Sequence, residues 1–123
     1  MPVYEMSLDA VTLWFDTGLT LDGTEAVRVE ATGQWTANPA TGMVDANGHL
    51  GLIAKEGYNL PGEVEGLLVC KVGATVLPPG ANGSIPVGQS GDLYISINDD
   101  MFAQYGAGFP DNQGTLSIKI TVP

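Results

Sequence analysis

The sequence predicts an all-β sandwich formed by a single domain over residues 1–123. Seventeen Gly and eight Pro are spread along the whole chain, so few windows are long enough to show helical periodicity. Several short segments instead alternate apolar and polar residues with the period of two that a half-buried strand requires. With 123 residues, 44% of them hydrophobic, the chain can bury one core. Short strands separated by frequent turns favour a β-sandwich.

Seven segments have the composition of strands and are bounded by turn residues. They are Ala10–Phe15, Ala26–Ala31, Leu50–Ala54, Gly66–Val72, Ser84–Val87, Leu93–Ile97 and Thr115–Val122. In the second segment Val27 and Val29 share one face. The fourth is apolar on both faces apart from Lys71, which is typical of a central strand or of one covered by a partner subunit. Pro86 cannot donate to a ladder, so the fifth is predicted at a sheet edge.

The charge balance excludes several classes of partner. The formal net charge is −10, and the only basic residues are Arg28, Lys55, Lys71 and Lys119. A phosphate backbone or an anionic membrane surface would be repelled, so nucleic-acid binding is not expected. No apolar stretch approaches the length of a membrane span, so membrane insertion is not expected either.

The cysteine content and the N-terminus bear on the compartment. Cys70 is the only cysteine, so the chain has no disulfide framework, and its apolar neighbours predict an inert core thiol. The first residues lack the basic start and apolar run of a signal peptide. We therefore expect synthesis in the cytoplasm, with any release to the cell surface or exterior following a non-classical route.

The segment Asn98–Gly114, called the acidic segment below, lies between the last two predicted strands. It is rich in oxygen ligands. It is much longer than the roughly 2–5 residues of an ordinary hairpin loop. No Lys or Arg occurs between Lys71 and Lys119, an interval that contains Asp92, Asp99, Asp100 and Asp111. Carboxylates gathered without a counter-charge indicate a divalent cation, and calcium takes about 6–8 oxygens in flexible geometry. The spacing is not that of an EF-hand, and a solvated acidic loop is the plain alternative.

The residues needed for catalysis are scarce. His49 is the only histidine, and no Ser, Cys or second His accompanies it in a triad-like pattern. Asp99 and Asp111 could form a glycosidase pair, but their Asn and Gly neighbours favour metal ligation. We therefore predict a binding protein and not an enzyme.

Three stretches of the acidic segment and two earlier ones resemble the PA-IL (LecA) family of calcium-dependent, galactose-binding bacterial lectins. The stretches are Ile97–Asp99, Tyr105–Gly106, Asp111–Leu116, Ala31–Trp35 and Leu60–Gly62 followed by Gly66–Gly73. They occur in the family's order and cover about residues 26–122. The resemblance implies a jelly-roll-like, galactose-binding-domain-like sandwich that forms a homo-oligomer, a tetramer or a dimer. It also implies galactose-containing glycans as partners, with the sugar's 3- and 4-hydroxyls coordinating the calcium.

The resemblance further implies the residues of the site. The implied metal ligands are Asn38 and Gln104 through their backbone carbonyls, and Asp99, Asp111 and Asn112 through their side chains. The implied sugar contacts are His49, Asp99, Asp100, Gln104 and Asp111. An ordinary Asn-Pro turn at Asn38 and a plain surface role for His49 are the alternatives.

Two departures from the family pattern leave other functions open. The acidic segment is longer here, by about residues 107–110, and Asp111 stands where the family has Asn. Phe102 and Phe109 are expected to reshape or cover the sugar pocket. One alternative is a structural or attachment module in which calcium only holds the fold. Another is a carbohydrate-binding module that recognises a different sugar through exposed aromatics such as Tyr105 or Trp14.

Overall fold

Eight strands form two four-stranded antiparallel sheets in the computed structural model, which describes residues 2–123. The strands are β1 (Val3–Asp9), β2 (Phe15–Asp22), β3 (Val27–Thr36), β4 (Leu68–Val72), β5 (Thr75–Leu77), β6 (Asn82–Ile85), β7 (Ser90–Ile97) and β8 (Gln113–Thr121). The first sheet has the order β1-β8-β3-β6, and the second has the order β2-β7-β4-β5. Both contribute to one hydrophobic core. The predicted all-β sandwich is therefore confirmed.

The period-two patterns place the core correctly in the best-defined strands. Val27 and Val29 of β3 are buried, as predicted. The alternate residues of β7 and β8 face the same interior, and they are Leu93, Ile95, Ile97, Leu116, Ile118 and Ile120. Polar residues between them on β8, such as Ser117 and Lys119, are exposed. Burying one face of each sheet against the other is the main source of stability in this architecture.

The strands that flank the acidic segment belong to different sheets. β7 pairs with β2 and β4, whereas β8 pairs with β1 and β3. The residues between them, 98–112, therefore cross from one sheet to the other and do not form a hairpin loop. This part of the acidic segment is called the crossing segment below. It contains a short 3-10 helix at Phe109–Asp111. Its length follows from this crossing.

The N-terminal prediction is wrong: the predicted strand shares only Phe15 with β2, so β2 was not predicted as a strand. The predicted strand Ala10–Phe15 is mostly the connection between β1 and β2, with Ala10 buried and its N–H donating to the carbonyl of Gly114. β1 itself was not predicted, because Leu8 is its only buried residue and the hydrophobic pattern is correspondingly weak. β1 is nevertheless fixed over its whole length by antiparallel pairing with β8.

The predicted strand Leu50–Ala54 is also wrong. Residues 37–67 form a long irregular excursion between β3 and β4, and Ile53 contributes only an isolated bridge to Val64. Leu50 is 88% exposed, so this apolar run does not reflect burial in the core. A 3-10 helix at Pro39–Thr41 is the only helical turn that the described chain has in the excursion.

The remaining predictions for the second half of the chain agree with the structure, except that Ser84–Val87 shares only Ser84 and Ile85 with β6 and that β5 was not predicted. β4 lies between β7 and β5, and its outward residue Val69 is fully buried within this chain. No partner subunit is needed to explain its apolar character. β6 is an edge strand that ends just before Pro86. Burial raises the pKa of the Cys70 thiol to about 12, which agrees with an inert core cysteine. Between residues 2 and 123, no helix has the length and apolarity needed to cross a membrane.

Candidate functional site

One end of the sandwich carries an acidic pocket of about 210 Å³, called the primary pocket below. Two parts of the chain build it: the excursion, whose first residues form the corner after β3, and the crossing segment 98–112. Its lining residues are Ala37, Asn38, Tyr58, Glu65, Asp99, Asp100, Tyr105, Gly106, Ala107, Gly108 and Asp111. Four of these are acidic and none is basic, so the pocket is suited to a cation or to ligands that donate hydrogen bonds.

The side chain of Asn98 attaches the excursion to the crossing segment. It is fully buried; its Oδ1 accepts the N–H of Leu60 at 2.9 Å, and its Nδ2 donates to the carbonyls of Leu60 at 2.9 Å and Val64 at 3.1 Å. The indole of Trp35 donates to the carbonyl of Gly66 at 2.8 Å and links the end of β3 to the same region. These contacts bring Tyr58 and Glu65 beside the acidic residues.

Asp99 lies at the base of the primary pocket and is 3% exposed. Its Oδ1 accepts the N–H of Asp100 at 2.8 Å, while its Oδ2 is buried and makes no hydrogen bond to any residue from 2 to 123. Burial raises the pKa of this carboxyl to about 6, although the N–H of Asp100 and the nearby side chain of Asn112 favour its charged form. An unpaired buried carboxylate oxygen is costly without a ligand.

Asn112 has the same kind of unpaired oxygen. Its Nδ2 donates to the carbonyl of Ala10 at 2.9 Å, which fixes the orientation of the amide. Its Oδ1 is then buried without a hydrogen-bond partner in the described chain. Asp111, exposed and lining the primary pocket, acts on the pKa of Asp99 through its charge. The structure therefore brings together three of the predicted ligand side chains, those of Asp99, Asp111 and Asn112.

This donor set fits a hard cation that accepts neutral oxygens. Residues 2–123 contain no group of three or more His, Cys, Asp or Glu side chains arranged to hold a metal, so carboxylates alone would not suffice. Calcium also binds amide and backbone carbonyl oxygens, whereas zinc favours nitrogen and sulfur. The two unpaired buried oxygens and the Asp111 carboxylate are of the type that calcium uses.

Asp100, a predicted sugar contact, lines the primary pocket, and its carboxylate also binds the backbone of its own loop. Its Oδ2 accepts the N–H of Tyr105 at 2.7 Å, and its Oδ1 accepts that of Phe102 at 3.3 Å. Burial raises the pKa of Asp100, but backbone N–H groups from Phe102 to Tyr105 outweigh that effect and lower it. The carboxylate thus stabilises the turn that contains Ala103, whose φ of 52° is unfavourable for a residue with a side chain.

The two residues predicted to bind metal through backbone carbonyls are placed differently. Asn38 lines the primary pocket, but its carbonyl already accepts hydrogen bonds of 2.9 Å from both the N–H and the hydroxyl of Thr41. Gln104 is exposed, its side chain lies against Gly57, and it does not line the primary pocket. Ala37, beside Asn38, does line the pocket.

His49 is a buried structural histidine, 5% exposed. Its two ring nitrogens each lie 3.2 Å from a threonine hydroxyl, Nε2 from Thr36 and Nδ1 from Thr41. The ring also packs so closely on Gly66 that a Cβ there would lie 2.6 Å from it. His49 does not line the primary pocket, so its position lends no support to the predicted sugar contact.

The extra residues of the crossing segment form a wall of the primary pocket and do not fill it. Gly106, Ala107 and Gly108 line it, whereas Phe109 is buried in the core and Phe102 is 69% exposed outside it. Gly108 has a φ of 70°, and a Cβ at this position would lie 2.8 Å from the carbonyl oxygen of Asp100. Neither phenylalanine lines the pocket, so the structure lends no support to the expectation that they cover it.

Sequence reasoning missed two residues of the primary pocket, Tyr58 and Glu65. The Tyr58 hydroxyl donates to Oε1 of Glu65 at 2.8 Å. Glu65 directly precedes a predicted strand, but nothing in its local pattern indicates that it faces the acidic segment. Of the two aromatics considered for a sugar platform, Tyr105 lines the pocket, while Trp14 lies under the ammonium of Lys71 at 4.6 Å.

Comparison with known proteins adds evidence on the fold. No protein-family profile matches the chain, and no curated protein matches it. Among solved structures, it is similar to one described as "EclA N-terminal domain; PllA-like lectin", with a TM-score of 0.70 and 19% sequence identity. The match covers 95% of this chain and 93% of that one.

The chain therefore has a lectin-like fold. At this identity the similarity shows the architecture alone, and it does not single out the LecA family that the sequence resembles.

Proposed function

We propose that this protein is a calcium-dependent lectin that binds galactose-containing glycans in the primary pocket. The observation that carries the proposal is the pair of buried, unpartnered oxygens, Oδ2 of Asp99 and Oδ1 of Asn112. Buried polar atoms are nearly always hydrogen-bonded, so two neighbouring exceptions beside a pocket indicate a ligand. The lectin-like fold supports the same function.

In this proposal Asp99, Asp111 and Asn112 hold the calcium through their side chains. The backbone carbonyl of Ala37 replaces that of Asn38, because Thr41 already occupies the latter. The carbonyl of Gln104 remains a proposed fifth ligand. When bound, the calcium supplies open coordination positions at which vicinal sugar hydroxyls replace water.

The chain's own residues then hold and orient the sugar. Glu65 accepts hydrogen bonds from sugar hydroxyls, and the Tyr58 hydroxyl fixes the carboxylate in place. Gly106, Ala107 and Gly108 form a wall without long side chains, which leaves room for a pyranose ring. Several such sites on a homo-oligomer would raise the overall avidity, since one small site binds a monosaccharide weakly.

Calorimetry with methyl galactoside and methyl glucoside, in calcium and in EDTA, tests the proposal. We expect the galactoside to bind in calcium, the glucoside to bind far more weakly, and neither to bind in EDTA. A site that pairs with a given hydroxyl penalises its misplacement, because its own polar groups then lose their partners. Equal binding of both sugars would contradict the galactose specificity. Calcium binding without any sugar binding would favour a structural or attachment module.

A further inference from the structure

A second compartment of about 380 Å³ adjoins the primary pocket at Glu65 and Tyr58. Four residues line both spaces, namely Asn38, Tyr58, Glu65 and Tyr105. The two spaces are therefore adjacent and share a wall, and together they are called the groove below. The second compartment extends along the excursion, where Ile53 and Lys55 are among its lining residues.

The second compartment offers the mixture of groups that a sugar ring requires. Every sugar hydroxyl both donates and accepts hydrogen bonds, and the lining contains an ammonium donor, Lys55, and a carboxylate acceptor, Glu65. Ile53 is 57% exposed and supplies an apolar surface for the C–H face of a ring. The primary pocket, by contrast, has four acidic residues and no cation along its lining.

The ammonium of Lys55 is positioned and available. It lies 4.6 Å from the ring centroid of Tyr105, a geometry that holds it by a cation–π interaction. The one ion pair within residues 2–123 joins Arg28 to Glu30, so no carboxylate of the described chain lies within ion-pair distance of Lys55. Its hydrogen-bond donors are free for a ligand.

Hydrogen bonds hold Tyr105 in the wall between the two compartments. The Tyr105 hydroxyl donates to the carbonyl of Glu56 at 3.1 Å. The backbone N–H of Tyr105 donates to Oδ2 of Asp100 at 2.7 Å. Its ring lies 6.2 Å from that of Tyr58, measured between centroids. A groove whose walls are fixed before binding loses little conformational entropy when a ligand orders in it.

We propose that the second compartment is a subsite for the second sugar of a galactose-terminated oligosaccharide. The inference rests on the proposed function, because the terminal galactose occupies the primary pocket. The second pyranose ring is uncharged: it takes hydrogen bonds from Lys55 and donates them to Glu65, and its apolar face contacts Ile53. The preferred ligand is therefore a glycan of at least two sugar units and not a free monosaccharide.

Calorimetry on the full chain in calcium tests the subsite, with methyl galactoside compared against disaccharides that carry terminal galactose in different linkages. We expect at least one neutral disaccharide to bind about five- to tenfold more tightly than methyl galactoside, the gain of one or two net hydrogen bonds. If every disaccharide binds like methyl galactoside, the subsite is refuted and the lectin function stands. If no sugar binds, the proposed function fails and the subsite with it.

Two variants test which residues cause the tighter binding of the disaccharide. Lys55→Met keeps an unbranched chain over Tyr105 but removes the donors, and Ile53→Ser removes the apolar contact. Each should reduce disaccharide affinity towards that of methyl galactoside while leaving methyl galactoside affinity unchanged. Lys71→Met makes the same change at the cation over Trp14, which lines neither compartment, and should alter neither affinity. A full disaccharide preference in both Lys55→Met and Ile53→Ser would place the second sugar elsewhere and overturn the assignment.

Discussion

The hydroxyl of Tyr58 donates to Oε1 of Glu65 at 2.8 Å, and the pair forms the wall shared by the primary pocket and the second compartment. Burial raises the pKa of Tyr58 above its ordinary value, and the hydrogen bond to Glu65 and that residue's charge act in the same direction. Tyr58 therefore remains a protonated donor near neutral pH. The hydrogen bond engages one carboxylate oxygen of Glu65.

Replacing Glu65 tests its place in sugar recognition. In Glu65→Gln the side chain can still accept from Tyr58, but a charged acceptor for sugar hydroxyls is lost. We expect galactoside affinity to fall about tenfold, since hydrogen bonds to charged groups contribute about 1.5–3 kcal/mol. The calcium-induced rise in melting temperature should persist. Glu56→Gln, a change at an exposed neighbour, is the matched control for calorimetry. Unchanged sugar affinity in Glu65→Gln would remove Glu65 from the site.

Calcium should stabilise the fold through Asp99. Binding to the native state adds RT ln(1 + [L]/Kd), about 2.7 kcal/mol at a hundredfold excess over Kd, so the melting temperature should rise with calcium and fall with EDTA. Asp99→Asn should lose this response. Because burial raises the pKa of Asp99 to about 6, removing its charge should leave the calcium-free variant at least as stable as the wild type at neutral pH.

Differential scanning calorimetry with and without calcium measures both effects. Asp16→Asn, which removes an exposed carboxylate from β2, should respond to calcium like the wild type. A wild-type melting temperature that is indifferent to calcium and EDTA would count decisively against the metal site.

Asp100 should matter for the shape of the loop. In Asp100→Ala the backbone N–H groups of Phe102 and Tyr105 lose their acceptor, so we expect destabilisation by about 1–3 kcal/mol in urea unfolding. Galactoside affinity should also fall, because Tyr105 is no longer held in place. Asp100→Asn retains one acceptor oxygen and should lose less stability. Equal stability of Asp100→Ala and the wild type would show that these hydrogen bonds do not order the loop.

His49 should give the fold a specific pH dependence. Burial lowers the pKa of this histidine below its ordinary value of 6.5, and the charge of Glu65 only partly opposes the effect. The unfolded state then binds more protons than the native state as pH falls below 6.5, so stability decreases in that range. Asp99, with a raised pKa, changes stability in the opposite sense over a similar range.

Comparing wild type with His49→Gln separates the contribution of His49 to the pH dependence of stability from that of the other titratable groups. Urea unfolding in EDTA at about pH 7.5 and about pH 5 should show a larger loss of stability for the wild type on acidification. The same loss in both proteins would mean that His49 does not titrate abnormally.

The sequence pattern was sufficient to locate the acidic segment, and the family resemblance implied three of its proposed ligand side chains. Asp99, Asp111 and Asn112 lie close to well-defined strands, β7 and β8, whose alternation fixes where the segment starts and ends. Carboxylates without nearby cations are visible in the sequence whatever the tertiary structure. This part of the site depends mainly on local information.

The opposite wall could not be predicted, because long-range contacts position it. Tyr58 and Glu65 lie in an excursion without regular strands, which is attached by the amide of Asn98 and by the indole of Trp35. Hydrophobic periodicity carries no information about such attachments. The same limitation applies to the burial of His49. Nothing in the sequence shows that Thr36 and Thr41 lie beside its two ring nitrogens.

The pairing of β1 with β8 determines how the domain can be tethered. Val3 lies opposite Thr121, and the N–H of Val122 donates to the carbonyl of Pro2 at 3.0 Å, so both ends of the chain meet at one end of the sandwich. The primary pocket lies beyond the other end of β8, next to Asp111. Immobilisation or fusion through either terminus would therefore leave the groove facing away from the support and open to large glycans.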